Sequence, residues 1–379
     1  VESFSDLLFS FEKFVVEKVF TKNQFWSRFV PVIAILFFTY LFLGIFNPGY
    51  YTILFRKLFE DLVLHHPQEG FFWDLIINQG SHLFDQSQGH FFMDHMASRK
   101  FRVVIPFLAN VFHLTSFNLF LLQVGAGLLF ANLLLKYLTD LFQDKFSAFL
   151  AILAFENIYV GGSFFVNVYG HIDGFTYLFL FLTLLFFKRP ILLTLFLQLS
   201  FWSDERSLFA VIPVFLIHYV RESRDLKKLI TQIIELVINY LVYFGLYIFI
   251  GYKNKIGPFY SPQSANFHNY LDNISHQILW IGGRLFDALE SFWIILLLGG
   301  YFVVFTSKNW IEKCLFLGYL GAVLGIDLLV ADTIRATSFA FILLIYCFYI
   351  LKEHISFTFI KELLYVVALI SILKPFLFP

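Results

Sequence analysis

The sequence predicts an all-α, polytopic membrane protein of about eleven spans with a long first loop on the non-cytoplasmic side. Three observations predict it. Of 379 residues, 59% are hydrophobic and only 14% charged, with 55 Phe and a mean hydropathy of +0.75, more apolar surface than a soluble domain could cover. Apolar stretches recur along the whole chain. Basic residues collect in every second connection between them, as the positive-inside rule requires of cytoplasmic loops.

The elements follow in order. Residues 1–28 open "VESFSDLLFSFEKFVVEKVF", which alternates apolar and charged positions at helical spacing in place of a basic start and an unbroken apolar run. That pattern predicts an amphipathic interfacial helix on the cytoplasmic face, not a cleaved signal. Residues 29–379 form the transmembrane domain. A span needs about 20 apolar residues to cross about 30 Å of hydrocarbon. The candidates are 29–47, 115–136, 146–165, 174–188, 190–203, 207–220, 229–251, 290–306, 314–331, 336–351 and 357–377. With the N-terminus inside, the cytoplasmic connections carry Lys136 and Lys145, Lys188 and Arg189, Arg221 to Lys228, Lys308 and Lys313, and Lys352 and Lys361. The opposite face collects the loop 48–100 and short connections around His171, Asp204 and Asp332, with most of the histidines.

Composition also excludes function classes. Positive and negative charges balance and no basic tract interleaves with polar surface, so nucleic acid is not a partner. Cys314 and Cys347 lie far apart in apolar segments without metal-ligand spacing, which predicts packing roles and neither a disulfide nor zinc. A transporter or lipid flippase should show interrupted spans or paired repeats, and the sequence shows neither.

The stretch "FWSDERSLFA" places Asp204, Glu205 and Arg206 between two apolar runs of about 14 residues, which as helices reach about 21 Å, short of the hydrocarbon thickness. The two helices therefore meet below the membrane surface. Charges at that depth must pair or face a wet cavity, unless the turn is a plain loop dipping into the headgroups.

The first loop holds "HFFMDHMASRKFRVV", in which a short helix would bring Asp94, Arg99 and Arg102 within about two turns. Arginine forks suit phosphate oxygens, so the segment is either a phosphate site or an interfacial helix meeting lipid headgroups. His90, Asp94 and His95 give an incomplete shell for a metal, and no metal site or cofactor is assigned; a divalent ion remains open. "YGHIDGF" sets His171 and Asp173 at the mouth of a span, where Asp173 could equally act as an N-cap. In "DTIRATSF", Asp332 and Arg335 could pair with each other at i, i+3. All these connections open to one face, and their convergence is the pattern of a site.

"NPGYYTILFRKLFE" after the first span, "DHMASRKFRVVIPFLA" before the second, "YGHIDGF" and "DERSL" together resemble the GT-C superfamily of polyprenyl-phosphate-dependent glycosyltransferases. The resemblance covers roughly the first 220 residues and the Asp332–Arg335 turn. It implies a membrane enzyme with its N-terminus in the cytoplasm; apart from the resemblance, the expected location is a bacterial inner membrane, as part of the cell envelope. Such an enzyme moves a sugar from a lipid-linked sugar phosphate drawn from the bilayer to an acceptor at the extracytoplasmic face. It further implies a carboxylate base in the first loop, with Asp94 first and Asp61 and Asp173 behind it, and a donor held by Arg99, Arg102, Arg206 or Arg335 alongside His95, His171, Asp204, Glu205 and Asp332. Relatives place an acidic residue directly after the first span, where this chain reads Asn47-Pro48-Gly49-Tyr50-Tyr51. Either a later carboxylate has taken over, or the chain keeps the fold as a non-catalytic subunit with membrane-protein partners.

Overall fold

The computed structural model describes residues 4–20, 26–49, 56, 73–83, 101–168, 170–222, 224–253, 282–329 and 333–374. Among these residues the chain is helical with no strand. Within the described residues, each of the apolar stretches read from the sequence is largely helical.

The N-terminal part comprises α1 (Phe4–Phe14), extended by a π turn at Val15–Val19, then α2 (Trp26–Phe46), α3 (Trp73–Ser81), α4 (Val104–Val111) and α5 (Ser116–Phe142). The central part comprises α6 (Lys145–Glu156), α7 (Tyr159–Phe165), α8 (Asp173–Leu185), α9 (Pro190–Phe201), α10 (Ser207–Ala210) and α11 (Ile212–Arg221). The chain continues through α12 (Leu226–Lys253), α13 (Gly282–Leu289), α14 (Phe292–Tyr301), α15 (Trp310–Leu329), α16 (Thr333–Ser338), α17 (Phe341–His354) and α18 (Phe357–Leu373).

Two helices, Ser116–Phe142 and Leu226–Tyr252, are long and apolar enough to cross a membrane by length and composition, and counting each bent pair as one span brings the number to four. Several others are shorter: Asp173–Leu185 has 13 residues and Pro190–Phe201 has 12. At 1.5 Å per residue these reach about 18–20 Å. Helices of that length fall short of the roughly 30 Å of a bilayer's hydrocarbon.

The hydropathy pattern reads as uninterrupted spans, and here the structure differs. Helix α6 bends by 73° into α7, and α13 bends by 96° into the helix that begins at Phe292. Each bend carries a buried glutamate, Glu156 and Glu290. Hydropathy averaged over a span cannot register one polar residue in a long apolar run. Interrupted helices therefore no longer set this chain apart from transporters.

The basic connections meet at one end of the bundle. Lys188 pairs with Glu222 at 2.5 Å, Lys228 with Glu222 at 2.7 Å, and Arg224 with Glu312 and Glu353, each at 3.0 Å. Lys352 donates to the carbonyl of Leu141 at 2.5 Å. Lys361 pairs with Glu12, which brings α1 to the same end, and the Phe11 ring packs edge-on against Phe38 and Phe146 at 6.3 and 5.9 Å. Helices α8, α9 and α11 all run between this end and a second polar cluster at the other.

The core between the two ends is aromatic. Phe130 packs against Phe164, Phe181 and Phe341 with centroids 5.1, 5.5 and 6.0 Å apart. Helix α6 is buried from Phe146 to Glu156 and forms the central strut. Cys347 is buried, Cys314 is exposed, and both are free thiols.

Candidate functional site

At the end away from the lysines, four connections contribute to one charge network. The turn after α9 is held by Asp204, whose Oδ1 accepts from the Arg206 backbone N–H at 2.9 Å and from Arg206 Nε at 2.9 Å. Its Oδ2 accepts from Arg206 Nη2 at 2.7 Å and lies 3.1 Å from Arg102 Nη1. Asp204 thus folds its own turn and clamps two arginines. Burial alone would push the Asp204 carboxyl up, but Arg102 and Arg206 outweigh it and hold it below the usual carboxylate range.

Arg102 forks onto Glu205, with Nε to Oε2 at 3.0 Å and Nη2 to Oε1 at 2.9 Å. The spacing of Asp94, Arg99 and Arg102 predicts one short helix through them, yet α4 starts only at Val104 and leaves Arg102 ahead of it. The reason is local: the neighbouring Phe101 stacks on Tyr247 at 3.8 Å, and Arg102 is drawn to the Asp204–Glu205 turn.

Asp173 is the second hub. It is the first residue of α8, but its side chain makes no N-cap hydrogen bond, since Ile172 holds the cap position. Its carboxylate instead accepts from Arg335 Nε at 2.6 Å and Nη2 at 2.8 Å, from Arg206 Nη2 at 3.0 Å and from the Tyr159 hydroxyl at 2.7 Å. Asp173 is 0% exposed. Arg335 thus has a partner 162 residues away in sequence; Asp332, the i, i+3 candidate, lies outside the described residues.

The network is ordered by depth. Asp173 and Asp204 are fully buried, Arg102, Arg206 and Arg335 are 11–14% exposed, and Glu205 is 40% exposed. The Arg206 guanidinium also lies 4.9 Å from the centroid of the Phe339 ring.

In front of this network is a small recess of about 20 Å³ lined by Ile76, Gln79, Arg102, Pro106, Gly170, His171, Ile172 and Arg335. Among the described residues no carboxylate lines it. Helices α3 and α4 form its outer wall; Gly80 makes their contact possible, because a Cβ there would stand 2.3 Å from the Pro106 carbonyl oxygen. Trp73 anchors α3 by donating to the Val168 carbonyl at 2.7 Å, and Ser116 donates to Asp74 at 2.8 Å. Asn167 donates to the His171 carbonyl at 2.6 Å and fixes the loop that carries the imidazole.

Of the site residues expected from sequence, Arg102, His171, Asp173, Asp204, Glu205, Arg206 and Arg335 come together. Asp61, Asp94, His95, Arg99 and Asp332 lie outside the described residues. Among the described residues no group of three or more His, Cys, Asp or Glu side chains could hold a metal.

Known proteins add nothing to this geometry. The chain matches no family model, no curated protein and no solved structure.

Sequence reasoning missed Tyr159, one aromatic among many. It also missed Gln79, which lines the recess and donates to the Arg102 carbonyl at 3.4 Å.

Proposed function

We propose that the chain is a membrane glycosyltransferase of the GT-C kind, with about eleven spans, that moves a sugar from a polyprenyl-phosphate donor to an acceptor hydroxyl at the extracytoplasmic face. The observation that carries this reading is the polarity of the recess. It presents Arg102, Arg335, His171 and Gln79, while the carboxylates that balance the arginines stand behind or beside them.

Such a wall suits an anion. Guanidinium N–H groups donate to phosphate oxygens as they acquire charge when the glycosidic bond breaks, and they are preorganised because buried carboxylates already fix their rotamers. The base belongs in the first loop, with Asp94 first and Asp61 next. Asp173, the third candidate, already accepts from two arginines and a tyrosine and has no exposed surface, so its part is to position Arg206 and Arg335. Direct displacement inverts the anomeric carbon. The acceptor proton leaves on the loop carboxylate, and the lipid phosphate departs with the bonding electron pair.

The experiment is sugar transfer from a polyprenyl-phosphate donor in reconstituted membranes. Asp94→Asn should abolish turnover while leaving expression and lipid-phosphate binding intact; unaltered turnover removes Asp94 from the role.

A second reading, a non-catalytic subunit of an envelope assembly, is favoured by one observation. Every arginine of the network is matched by a carboxylate within 3.1 Å, so the cluster is complete as a structural device without a ligand. A membrane-protein partner would dock through the exposed apolar side of α1, where Phe9 and Phe14 are 68% and 50% exposed. The two readings part on whether a phosphorylated lipid binds.

A further inference from the structure

The bend between α6 and α7 carries a second polar feature that the charge network does not use. Glu156, the last residue of α6, is 5% exposed, and its Oε2 has no hydrogen-bond partner. The next residue, Asn157, is 2% exposed and leaves Oδ1 without a donor, while its Nδ2 donates to Leu153 O at 2.6 Å and to Thr39 Oγ1 at 3.4 Å. Two adjacent buried side chains therefore each lack a donor at the same break in a helix. The chain turns back tightly here. A Cβ on Gly161 would stand 2.8 Å from Glu156 Oε2 and 2.4 Å from its Cα, so only glycine at 161 leaves room for the carboxyl.

Among the described residues no cation pairs with this carboxyl. On elements packed against α6, Lys361 lies 5.5 Å from the Phe146 ring and pairs with Glu12, Lys145 lies 5.5 Å from the Phe20 ring, both at the far end, and Lys374 at the end of α18 pairs with Asp287. From Phe146 to Glu156 is about 15 Å of helix. On the near side, Tyr159 spends its hydroxyl on Asp173, whose charge Arg206 and Arg335 already meet. The other bend brings a further acid: Phe155 and Phe292 meet tilted at 4.5 Å, two residues after Glu290, whose Oε2 is also without a partner, and the nearby Lys374 pairs with Asp287 at 2.7 Å.

An ionised carboxylate without a partner in such an interior is too costly to persist. A proton removes the charge and turns Glu156 into a donor; Asn157 Oδ1, one residue on, is an acceptor still without one. A metal cation would need a larger shell of oxygens.

We propose that Glu156, with Asn157, is a proton-binding site at the α6–α7 bend, loaded at neutral pH and emptied to water only when the bend rearranges. This holds whether or not the recess takes a phosphate.

The test is infrared spectroscopy of the full chain in lipid nanodiscs. The wild type should show, at neutral pH, a protonated-carboxyl stretch that shifts in D2O. Glu156→Gln, the neutral mimic, should fold and remove that component. Glu156→Asp should move it in frequency, which keeps the assignment testable if the glutamine variant fails to fold. A spectrum unchanged by either variant would show Glu156 ionised and overturn the proposal. Loss of the component on adding sodium at constant pH would assign the site to an alkali cation and overturn it equally.

Discussion

Arg335 grips Asp173 with both arms of its guanidinium, Nε at 2.6 Å and Nη2 at 2.8 Å, and so ties α16 to the start of α8. The pair is buried, with 11% of the arginine side chain and none of the aspartate exposed. Two short helices far apart in sequence are thereby fixed at one depth.

Removing one partner strands the other. Asp173→Ala leaves Arg335 and Arg206 without their shared acceptor and should cost about 3–5 kcal/mol, the usual penalty for an uncompensated buried charge. Thermal unfolding in detergent checks it. Arg335→Leu in the same background should cost less than the two single changes added together, a coupling that a double-mutant cycle measures.

The clamp at Asp204 predicts an acid limit. Its carboxyl is held below the usual range in the folded state by Arg102 and Arg206. The stabilisation is therefore complete above the unfolded value of about 3.9 and is lost as pH falls through the folded value. Thermal stability should drop in wild type between about pH 4 and the acid limit. Asp204→Asn should be less stable at neutral pH and flatter across that window; an equal acid slope would remove Asp204 as the cause.

Gly80 sets the outer wall of the recess. Gly80→Ala puts a methyl against the Pro106 carbonyl, where backbone must move, and should cost about 1–3 kcal/mol. Cysteine accessibility at Gln79 should rise as α3 parts from α4. Unchanged labelling and stability would mean that the contact is not tight.

Much of this was legible in the sequence, and the reasons differ by level. Hydropathy located the helices because a span is a long, averaged signal. The grouping of Asp173, Asp204, Arg206 and Arg335 followed from alternation of basic connections, which assigns each loop a side. The pairings were not legible. Arg335 reaches Asp173 and Arg102 reaches Asp204 and Glu205 because tertiary packing sets these distances and sequence spacing does not. The bend at Glu156 hid inside the apolar run 146–165 for the same reason that spans were easy to find, while Glu290 stands at the first residue of the 290–306 run, with α13 ahead of it. A closer signal did exist, since "FENIYVGG" puts an acid, an amide and two glycines within one apolar segment. Asp94, Asp61 and Arg99 fall outside the described residues, so the base rests on the resemblance and on the recess being there to serve it.

The recess itself offers the most direct measurement: binding of a polyprenyl phosphate, against the matching neutral polyprenol, to the chain in nanodiscs by native mass spectrometry. The account predicts retention of the phosphate alone, weakened about tenfold or more in both His171→Ala and Arg335→Lys, the latter keeping charge but losing the fork. Equal retention of phosphate and alcohol, or binding indifferent to both substitutions, would contradict it.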